Sequence, residues 1–370
     1  MSNKIKKKII IFNPSLEDGG VEKNLFLVSN YLNAMNFCVE ILTCNNDKSN
    51  KFEKGIKFIG SKNVFWQKKS RKIKYLVCLT ILFFNLLFRS DKPLVFAFQA
   101  NIYAVLVAKI LNIKVITRSN SAPSGWSKNF IKNNIYKFII KLADDVMVNS
   151  LDFKKSFEKK FNINVKCIYN PFDKNFIKKN LKSNKVKISF FKKNYLNIIS
   201  IGRLTDQKDH LTALKAIKTL EANFKIKMII MGKGVNKRLL EKYIKINKLK
   251  NKVKLIGYRN NPYPYLKSSN IVLLSSKYEG LPNILLEAQY LKKYIISTDC
   301  PTGPKEILLN GRAGDLVKIG DYNKIAYLIK NYNKKKKQIN NKIKIGYNNF
   351  DRFGYMVNCK KYLDFVGKNF

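Results

Sequence analysis

The chain has 370 residues, enough for two domains with substantial cores. Apolar types make up 46% and charged types 26%, which excludes collagen-like, disulfide-scaffold and polytopic membrane proteins. The unusual property is the charge, because 72 Lys and Arg against 24 Asp and Glu give a formal net charge of +48. A polyanion, an anionic membrane surface or a phosphorylated substrate would complement that charge. A passive, Lys-rich surface is an equal alternative, since Asn, Ile and Lys are enriched together along the chain.

Cysteine and histidine usage limits the possible chemistry. The 6 cysteines are dispersed without a Cys-x-x-Cys pair, and the single histidine is His210. We therefore expect free thiols, no zinc and no metal site, and a non-catalytic role for His210. The apolar run at residues 9–12 is too short for a signal-peptide core, so we expect a cytoplasmic protein.

Short apolar runs alternate with helical patterns along the whole chain. They occur at residues 9–12, 39–43, 95–99, 115–118 and 146–149, and again at 196–201, 228–231, 253–256, 271–275 and 294–297. Continuous apolar runs are typical of parallel strands covered on both faces by helices. The pattern predicts an α/β protein with two doubly wound domains, residues 1–173 and 195–350, joined by a Lys- and Asn-rich linker at 174–194.

Residues 75–88 form the most apolar segment, at about fourteen residues, whereas a membrane-spanning helix needs about 20. The bases that flank it, Lys68, Lys69, Arg71, Lys72, Lys74 and Arg89, suit a helix lying in an anionic leaflet. A helix facing the protein core is the alternative.

Gly19 and Gly20 follow the first predicted strand and precede an amphipathic pattern at 21–32. Backbone amides at a helix start suit an anion or a polar sugar group, although an ordinary turn has the same sequence.

In the second half, Gly202, Arg203 and Lys208 directly follow a predicted strand. Open α/β sheets bind ligands at the carboxyl ends of their strands. A glycine there allows close approach, while a guanidinium and an ammonium suit a diphosphate.

The richest motif is Glu279-Gly-Leu-Pro-Asn-Ile-Leu-Leu-Glu287, which follows the apolar run 271–275. Pro282 suits the first turn of a helix, and Glu287 would lie little more than one turn further on. The two carboxylates can bind sugar hydroxyls and a ribose diol, and free amides within 280–283 suit an anion. The alternative is that one acid stabilises the helix dipole and the other is solvated.

Taken together, these motifs carry a family resemblance. The Gly19-Gly20 pair, Gly-Arg203-Leu-x-x-Gln-Lys208, the Glu279–Glu287 motif and Ser-Thr-Asp-Cys-Pro-Thr-Gly-Pro-Lys-Glu-Ile-Leu at 297–308 resemble retaining glycosyltransferases of the GT-B architecture. In that architecture two Rossmann-like domains face a central cleft. Residues 257–263 and 298–308 are most similar to bacterial enzymes that extend lipid-linked oligosaccharides, capsules or O-antigens.

The resemblance implies a substrate class and a set of site residues. A hexose or N-acetylhexosamine would pass from a nucleotide sugar, with UDP expected, to a lipid-linked or saccharide acceptor, without cofactor or metal. Arg203, Lys208 and Glu279 would be catalytic, the cations stabilising the departing diphosphate. Glu287 would hold the ribose, and the other implied donor contacts are Gly19, Gly20, Gly202, Gly280, Leu281, Pro282 and Asn283.

The first domain is implied to contribute further contacts. Some relatives use a His there against the donor sugar, and Gln99 or Asn101 would substitute for it here. Arg118 would meet an acceptor phosphate, with a surface arginine as the alternative. Residues 351–370 are implied to form a helix that returns to the first domain, and the enzyme would lie on the inner face of the cell membrane, against its anionic surface.

Other functions fit less well. A nucleic-acid-binding protein is favoured only by the pI of about 10.0, since the lysines are dispersed and no RNA-binding or helix-turn-helix signature occurs, so no nucleic-acid partner is expected. A nucleotide-sugar epimerase or phosphorylase of the same fold would use no lipid acceptor. A catalytically silent scaffold is disfavoured by the intact set of Arg203, Lys208, Glu279 and Glu287.

Overall fold

A computed structural model describes residues 7–16, 19–44, 46–61, 63–99, 101–120, 129–183 and 188–370. The chain divides into two compact units, Met1–Pro171 with Tyr355–Phe370, and Phe172–Gly354. Each unit contains a parallel sheet whose strands alternate with helices along the chain. The predicted α/β class with two doubly wound sheets is confirmed.

In the described part of the first unit, seven parallel strands lie in the order β3-β2-β1-β4-β5-β6-β7. The strands are β1 (Lys8–Phe12), β2 (Cys38–Leu42), β3 (Lys57–Phe58), β4 (Leu94–Ala97), β5 (Val115–Ser119), β6 (Asp145–Val148) and β7 (Lys166–Cys167). The helices are α1 (Gly20–Ala34), α2 (Val64–Gln67), α3 (Arg71–Leu87), α4 (Asn101–Ile110), α5 (Phe130–Lys141) and α6 (Leu151–Phe161), with α15 (Tyr355–Gly367) from the chain end. A 3-10 helix spans Asn46–Lys51.

In the described part of the second unit, six parallel strands lie in the order β10-β9-β8-β11-β12-β13. The strands are β8 (Leu196–Ile201), β9 (Ile226–Met231), β10 (Val253–Leu255), β11 (Ile271–Leu274), β12 (Tyr294–Thr298) and β13 (Asp315–Val317). The helices are α7 (Lys174–Ser183), α8 (His210–Lys218), α9 (Lys237–Ile246), α10 (Tyr263–Ser268), α11 (Asn283–Tyr290), α12 (Pro304–Ile307), α13 (Tyr322–Lys330) and α14 (Lys336–Asn348). A 3-10 helix spans Phe350–Phe353.

The continuous apolar strands are buried on both faces, as the composition of these runs requires. In β1, for example, Ile9, Ile10 and Ile11 are all fully buried, with alternate side chains in two separate hydrophobic clusters. Every one of the predicted strands is present, with ends shifted by at most two residues. The sequence missed β3, β7 and β13, which have only two or three residues each and therefore carry no recognisable pattern.

The predicted linker at 174–194 is wrong over its first half. Residues Lys174–Ser183 form α7, which packs against α10. Ile177 is buried, and the ring of Phe176 meets that of Tyr263 edge-on at 6.2 Å. The abundant Lys and Asn hid an amphipathic helix with a narrow apolar face. Residues 172–173 and 351–354 also belong to the second unit, not to the first as predicted.

Helix α3 resolves the two interpretations of segment 75–88 in part. Cys78, Leu82 and Leu86 recur every four residues and are buried in the core of the first unit. Leu76 and Phe84 are exposed on the other side of the helix, at 67% and 50%. One face of the helix therefore packs in the core, and the opposite face carries exposed apolar side chains. No helix within the described residues is both long and apolar enough to cross a bilayer.

Arg118 occupies a different environment from the one predicted. It lies within β5 and is fully buried, with Nε donating to the Tyr362 hydroxyl at 2.7 Å and Nη2 to Asn170 Oδ1 at 2.6 Å. Nη1 donates to Asn120, and the guanidinium lies 4.6 Å from the Phe98 ring centre. The predicted contact with an acceptor phosphate is not what the structure shows, because these groups inside the unit occupy the guanidinium. One of them, Tyr362, comes from α15.

Candidate functional site

The predicted donor residues of the second unit lie in the loops that follow β8 and β11. These strands are neighbours in the sheet, pairing Ile198 with Ile271, although two strands separate them in sequence. The strand order reverses between them, and such switch points open a crevice at the carboxyl ends of the strands. The topology therefore brings Gly202, Arg203 and Lys208 to the same edge of the sheet as Glu279.

The loop at 202–209 is held by the loop that follows β9. The Gly202 amide donates to Met231 O at 3.0 Å, and the Leu204 amide donates to Lys233 O at 2.9 Å. A Cβ atom on Gly232 would lie 1.8 Å from the Gly202 carbonyl oxygen, so only glycine fits there. This close packing fixes the backbone that carries Arg203.

Lys208 and Glu279 form an ion pair across the two loops. Lys208 Nζ lies 2.5 Å from Glu279 Oε1, with side-chain exposures of 15% and 8%. The same carboxylate oxygen accepts a hydrogen bond from Ser276 Oγ at 2.6 Å. An ammonium has three donors, so Lys208 can keep Glu279 and still reach a phosphate oxygen. The pair places a fixed positive charge beside a fixed carboxylate.

The motif at 297–308 supports the Glu279 loop from the adjacent strand, β12. The Glu279 amide donates to Pro301 O at 2.7 Å, and Thr302 Oγ1 donates to Glu279 O at 3.2 Å. Gly303 has φ +90°, and a Cβ atom there would lie 2.2 Å from the Gly280 carbonyl oxygen. These contacts explain why a glycine and a small hydroxyl side chain follow β12.

Helix α11 carries the second acid of the motif. It begins at Asn283 with Pro282 as its N-cap residue, and Leu281 just before it is buried. Glu287 is buried, and Oε1 accepts a hydrogen bond from the Tyr263 hydroxyl at 3.4 Å. A carboxylate accepts hydrogen bonds only, so Glu287 can receive hydroxyl donors.

The sequence missed Ser276, Thr302 and Tyr263 as neighbours of the two acids. Each lies within or next to a motif that was recognised: Ser276 and Thr302 are in the loops after β11 and β12, and Tyr263 begins α10. A hydroxyl residue at the carboxyl end of a strand was the available signal, but nothing local showed which carboxylate it would meet.

In the first unit, α1 begins at Gly20 with Gly19 as its N-cap residue, so the pair lies at a helix start as the pattern predicts. The Gly19 amide donates to Glu22 Oε2 at 2.9 Å, so a helix-capping contact uses it in this structure. Gln99 and Asn101 follow β4, and Asn101 Nδ2 donates to Arg118 O at 2.8 Å. Gln99 Oε1 and Asn101 Oδ1 are buried without a hydrogen-bond partner among the described residues. Such orphaned oxygens need donors.

His210 begins α8, immediately after the loop with Arg203 and Lys208. It is buried, and Nδ1 lies 3.1 Å from Ser200 Oγ. Burial, with a smaller contribution from the charge of Lys208, lowers the pKa of His210 to about 4. The imidazole is therefore neutral at physiological pH.

Within the described ranges, no group of three or more His, Cys, Asp or Glu side chains is arranged to hold a metal ion.

Comparison with known proteins finds a family match for the second unit. Residues 182–348 match the family described as glycosyl transferases group 1. The matched residues lie within the second unit and make up slightly less than half of the chain. HepE of Anabaena, solved in complex with UDP, superposes with a TM-score of 0.78 at 15% identity, covering 98% of this chain and 100% of HepE. The overall fold is therefore GT-B, as the resemblance implied.

Two curated relatives add to this assignment. An uncharacterized glycosyltransferase of Methanocaldococcus jannaschii is 36% identical over 179 residues, which span 47% of this chain but only 44% of that relative. The N-acetylgalactosamine-N,N'-diacetylbacillosaminyl-diphospho-undecaprenol 4-alpha-N-acetylgalactosaminyltransferase of Campylobacter jejuni is 29% identical, covering 74% of this chain and 76% of that enzyme.

The buried His210 gives a pH prediction. In the folded protein the imidazole stays neutral down to about pH 4, whereas in the unfolded chain it binds a proton near pH 6.5. Burial of the imidazole therefore carries no protonation cost above pH 6.5. As the pH falls from 6.5 to 4, the free energy of unfolding decreases by about 3 kcal/mol, because only the unfolded chain can bind the proton. The wild type should lose that much more unfolding free energy between pH 7 and 4 than His210→Gln.

Because the chain has 1 His, its NMR titration can be read without assignment. An imidazole that titrates near pH 6.5 in the folded protein would contradict the prediction.

Proposed function

We propose that this protein is a retaining glycosyltransferase that moves a hexose or N-acetylhexosamine from a UDP-sugar to a lipid-linked saccharide. The product would belong to a bacterial surface polysaccharide or glycan. The observation that carries the proposal is the convergence of Lys208, Glu279 and the Arg203 loop at the β8/β11 switch point. The C. jejuni relative acts on a diphospho-undecaprenol-linked acceptor, and HepE binds UDP, which supports the two substrate classes.

The cations would act on the donor diphosphate. The exposed Arg203 guanidinium can bind phosphate oxygens through two donors. Lys208 adds a second positive charge, which is held beside Glu279. Negative charge builds up on the diphosphate as the bond to the sugar breaks, so fixed cations stabilise the transition state more than the ground state. These residues would supply the positive field without a divalent ion, and turnover should therefore persist in chelator.

The acids would hold the donor at both ends. Glu279 Oε1 already accepts from Lys208 and Ser276, and Oε2 would accept from a donor-sugar hydroxyl. Glu287, fixed by Tyr263, would bind the ribose hydroxyls. With the sugar and the nucleoside both held, the anomeric carbon is oriented for attack.

Retention would follow from same-face attack. The acceptor hydroxyl oxygen bonds to the anomeric carbon as the bond to the diphosphate oxygen breaks on that face, and the leaving oxygen takes the hydroxyl proton. No side-chain base is needed for this step, which fits a chain whose single His is buried and neutral.

The first unit would bind the acceptor saccharide. The orphaned amide oxygens of Gln99 and Asn101 lack donors, and sugar hydroxyl groups provide them. Asn13 Oδ1 and Asn149 Oδ1, just after β1 and β6, are likewise buried without a hydrogen-bond partner among the described residues. Carboxyl ends of parallel strands share one edge of a sheet, so these four amides suit a hydroxyl-rich ligand.

A membrane surface would present the lipid-linked acceptor to this unit. Helices α3, α4 and α5 pack side by side and contain no Asp or Glu. Besides Leu76 and Phe84, they expose Ile110 at 72% and Phe138 at 66%. Apolar side chains among Lys and Arg, without acids, suit the interface of an anionic leaflet, where each base contributes about 1 kcal/mol.

The donor-site assignment predicts the effect of two substitutions. Arg203→Ala and Glu279→Ala should each lower kcat/KM for UDP-sugar transfer by about 100-fold, because each removes a group that stabilises or orients the transition state. The assay is mass spectrometry of the product formed from UDP-glucose, UDP-galactose and their N-acetyl forms on one lipid-diphosphate acceptor. Arg238→Ala and Glu241→Ala, exposed residues of α9, are the matched controls.

Full activity of either site variant would show that the site is assigned wrongly. Sugar release to water or to phosphate without any lipid product would point to a hydrolytic or phosphorolytic enzyme instead.

The membrane proposal predicts loss of vesicle binding. Replacing the stacked pair Phe84 and Phe88 by Ser should weaken flotation with vesicles containing about 30% anionic lipid at least tenfold, because two exposed aromatic rings would no longer insert. Phe176→Ser, an exposed ring of the second unit, is the control. Equal flotation of the wild type and the Phe84/Phe88 variant would contradict the proposal. Binding that is the same with neutral and anionic vesicles would also contradict it.

A further inference from the structure

Gln207 lies between Arg203 and Lys208 in sequence and contacts both loops of the donor site. Its side-chain Oε1 accepts a hydrogen bond from Arg203 Nη2 at 3.1 Å. Its Nε2 donates to the Tyr278 carbonyl oxygen at 3.0 Å, directly before Glu279. Its own carbonyl oxygen accepts from the Lys277 amide at 2.8 Å. Three hydrogen bonds thus converge on one residue.

A side-chain amide meets both side-chain requirements at once, because it combines an acceptor oxygen with an N–H donor. The Arg203 guanidinium offers only donors, so its partner must be an acceptor, while the Tyr278 carbonyl requires a donor. A carboxylate would repel that carbonyl, and an ammonium would repel the guanidinium. A glutamine side chain is also long enough to span from the 202–209 loop to residue 278, as the two distances show.

The contact matters because Arg203 has little else to orient it. It is exposed, and a long side chain in solvent samples many rotamers unless a partner restricts it. Lys208, by contrast, is fixed by a buried carboxylate. The arginine therefore depends on Gln207 for its direction, and Gln207 is itself held by the Glu279 loop.

We propose that Gln207 is a positioning residue that sets the Arg203 guanidinium in register with Glu279, so that the diphosphate and the donor sugar are gripped in one fixed geometry. This inference rests on the proposed function, since it concerns the same donor site. Gln207 acts through Arg203 and the Tyr278–Glu279 backbone and does not touch the reacting atoms.

The test is a double-mutant cycle on UDP affinity, measured by calorimetry with the full chain. Gln207→Met keeps the length of the side chain but lacks both amide groups, and it should weaken UDP binding about tenfold. In an Arg203→Ala background the same change should weaken UDP binding less than twofold, because the guanidinium it orients is gone. Gln207→Ala provides a second variant should Met pack poorly, and the exposed Gln338→Met is the control, with unchanged affinity.

The outcomes separate the inference from the proposed function. Equal effects of Gln207→Met in both backgrounds, or a lowered thermal midpoint that accounts for the loss, would overturn the positioning role while leaving the UDP site intact. No UDP binding by the wild type would overturn the proposed function and this inference with it. With substrate, Gln207→Met should also lower kcat, because Arg203 would be misplaced in the transition state.

Discussion

The ion pair between Lys208 and the buried Glu279 is the interaction on which the candidate site depends. It joins the two loops that the β8/β11 switch point brings together, at a side-chain separation of 2.5 Å. Removing charges from water is costly, so such a pair persists only where hydrogen bonds complete it, as Ser276 does here. Well-packed apolar residues in place of a buried ion pair are often as stabilising or more so, and stability alone therefore does not account for the pair. The pair therefore indicates a site built to hold charge.

Around that pair, the supporting contacts follow from the parallel sheet. The loops that follow β8, β9, β11 and β12 all begin at the same edge of the sheet. Backbone or hydroxyl groups of these loops form hydrogen bonds with neighbouring loops. Glycines at 232 and 303 permit backbone contacts that any side chain would block. The geometry of the charged groups is thus determined by main-chain packing, which is more rigid than a set of surface side chains.

Much of this arrangement could be predicted from sequence, because the strands are continuous apolar runs and the acids sit in a motif with fixed spacing. The ten predicted strands illustrate this, and so does the prediction that Lys208 and Glu279 belong to one site, although their direct ion pair was not predicted. What failed needed tertiary information. The sequence predicts Arg118 as a cation at the end of a strand, but its guanidinium donates a hydrogen bond to Tyr362, which is distant in sequence. The sequence of the helix Lys174–Ser183 resembles that of a linker because its apolar face is narrow. Gln207 belongs to a recognised motif, but its role becomes apparent only from its hydrogen bonds to Arg203 and Tyr278.

The central claim is that fixed cations at this edge recognise a diphosphate. Calorimetric titration of the wild type and Arg203→Ala with UDP, UMP and uridine tests it most directly. The account predicts that the wild type binds UDP at least tenfold more tightly than UMP, with uridine weakest, and that Arg203→Ala removes most of the difference between UDP and UMP. Equal affinity of the wild type for UDP and UMP, or a difference that Arg203→Ala leaves unchanged, would contradict it.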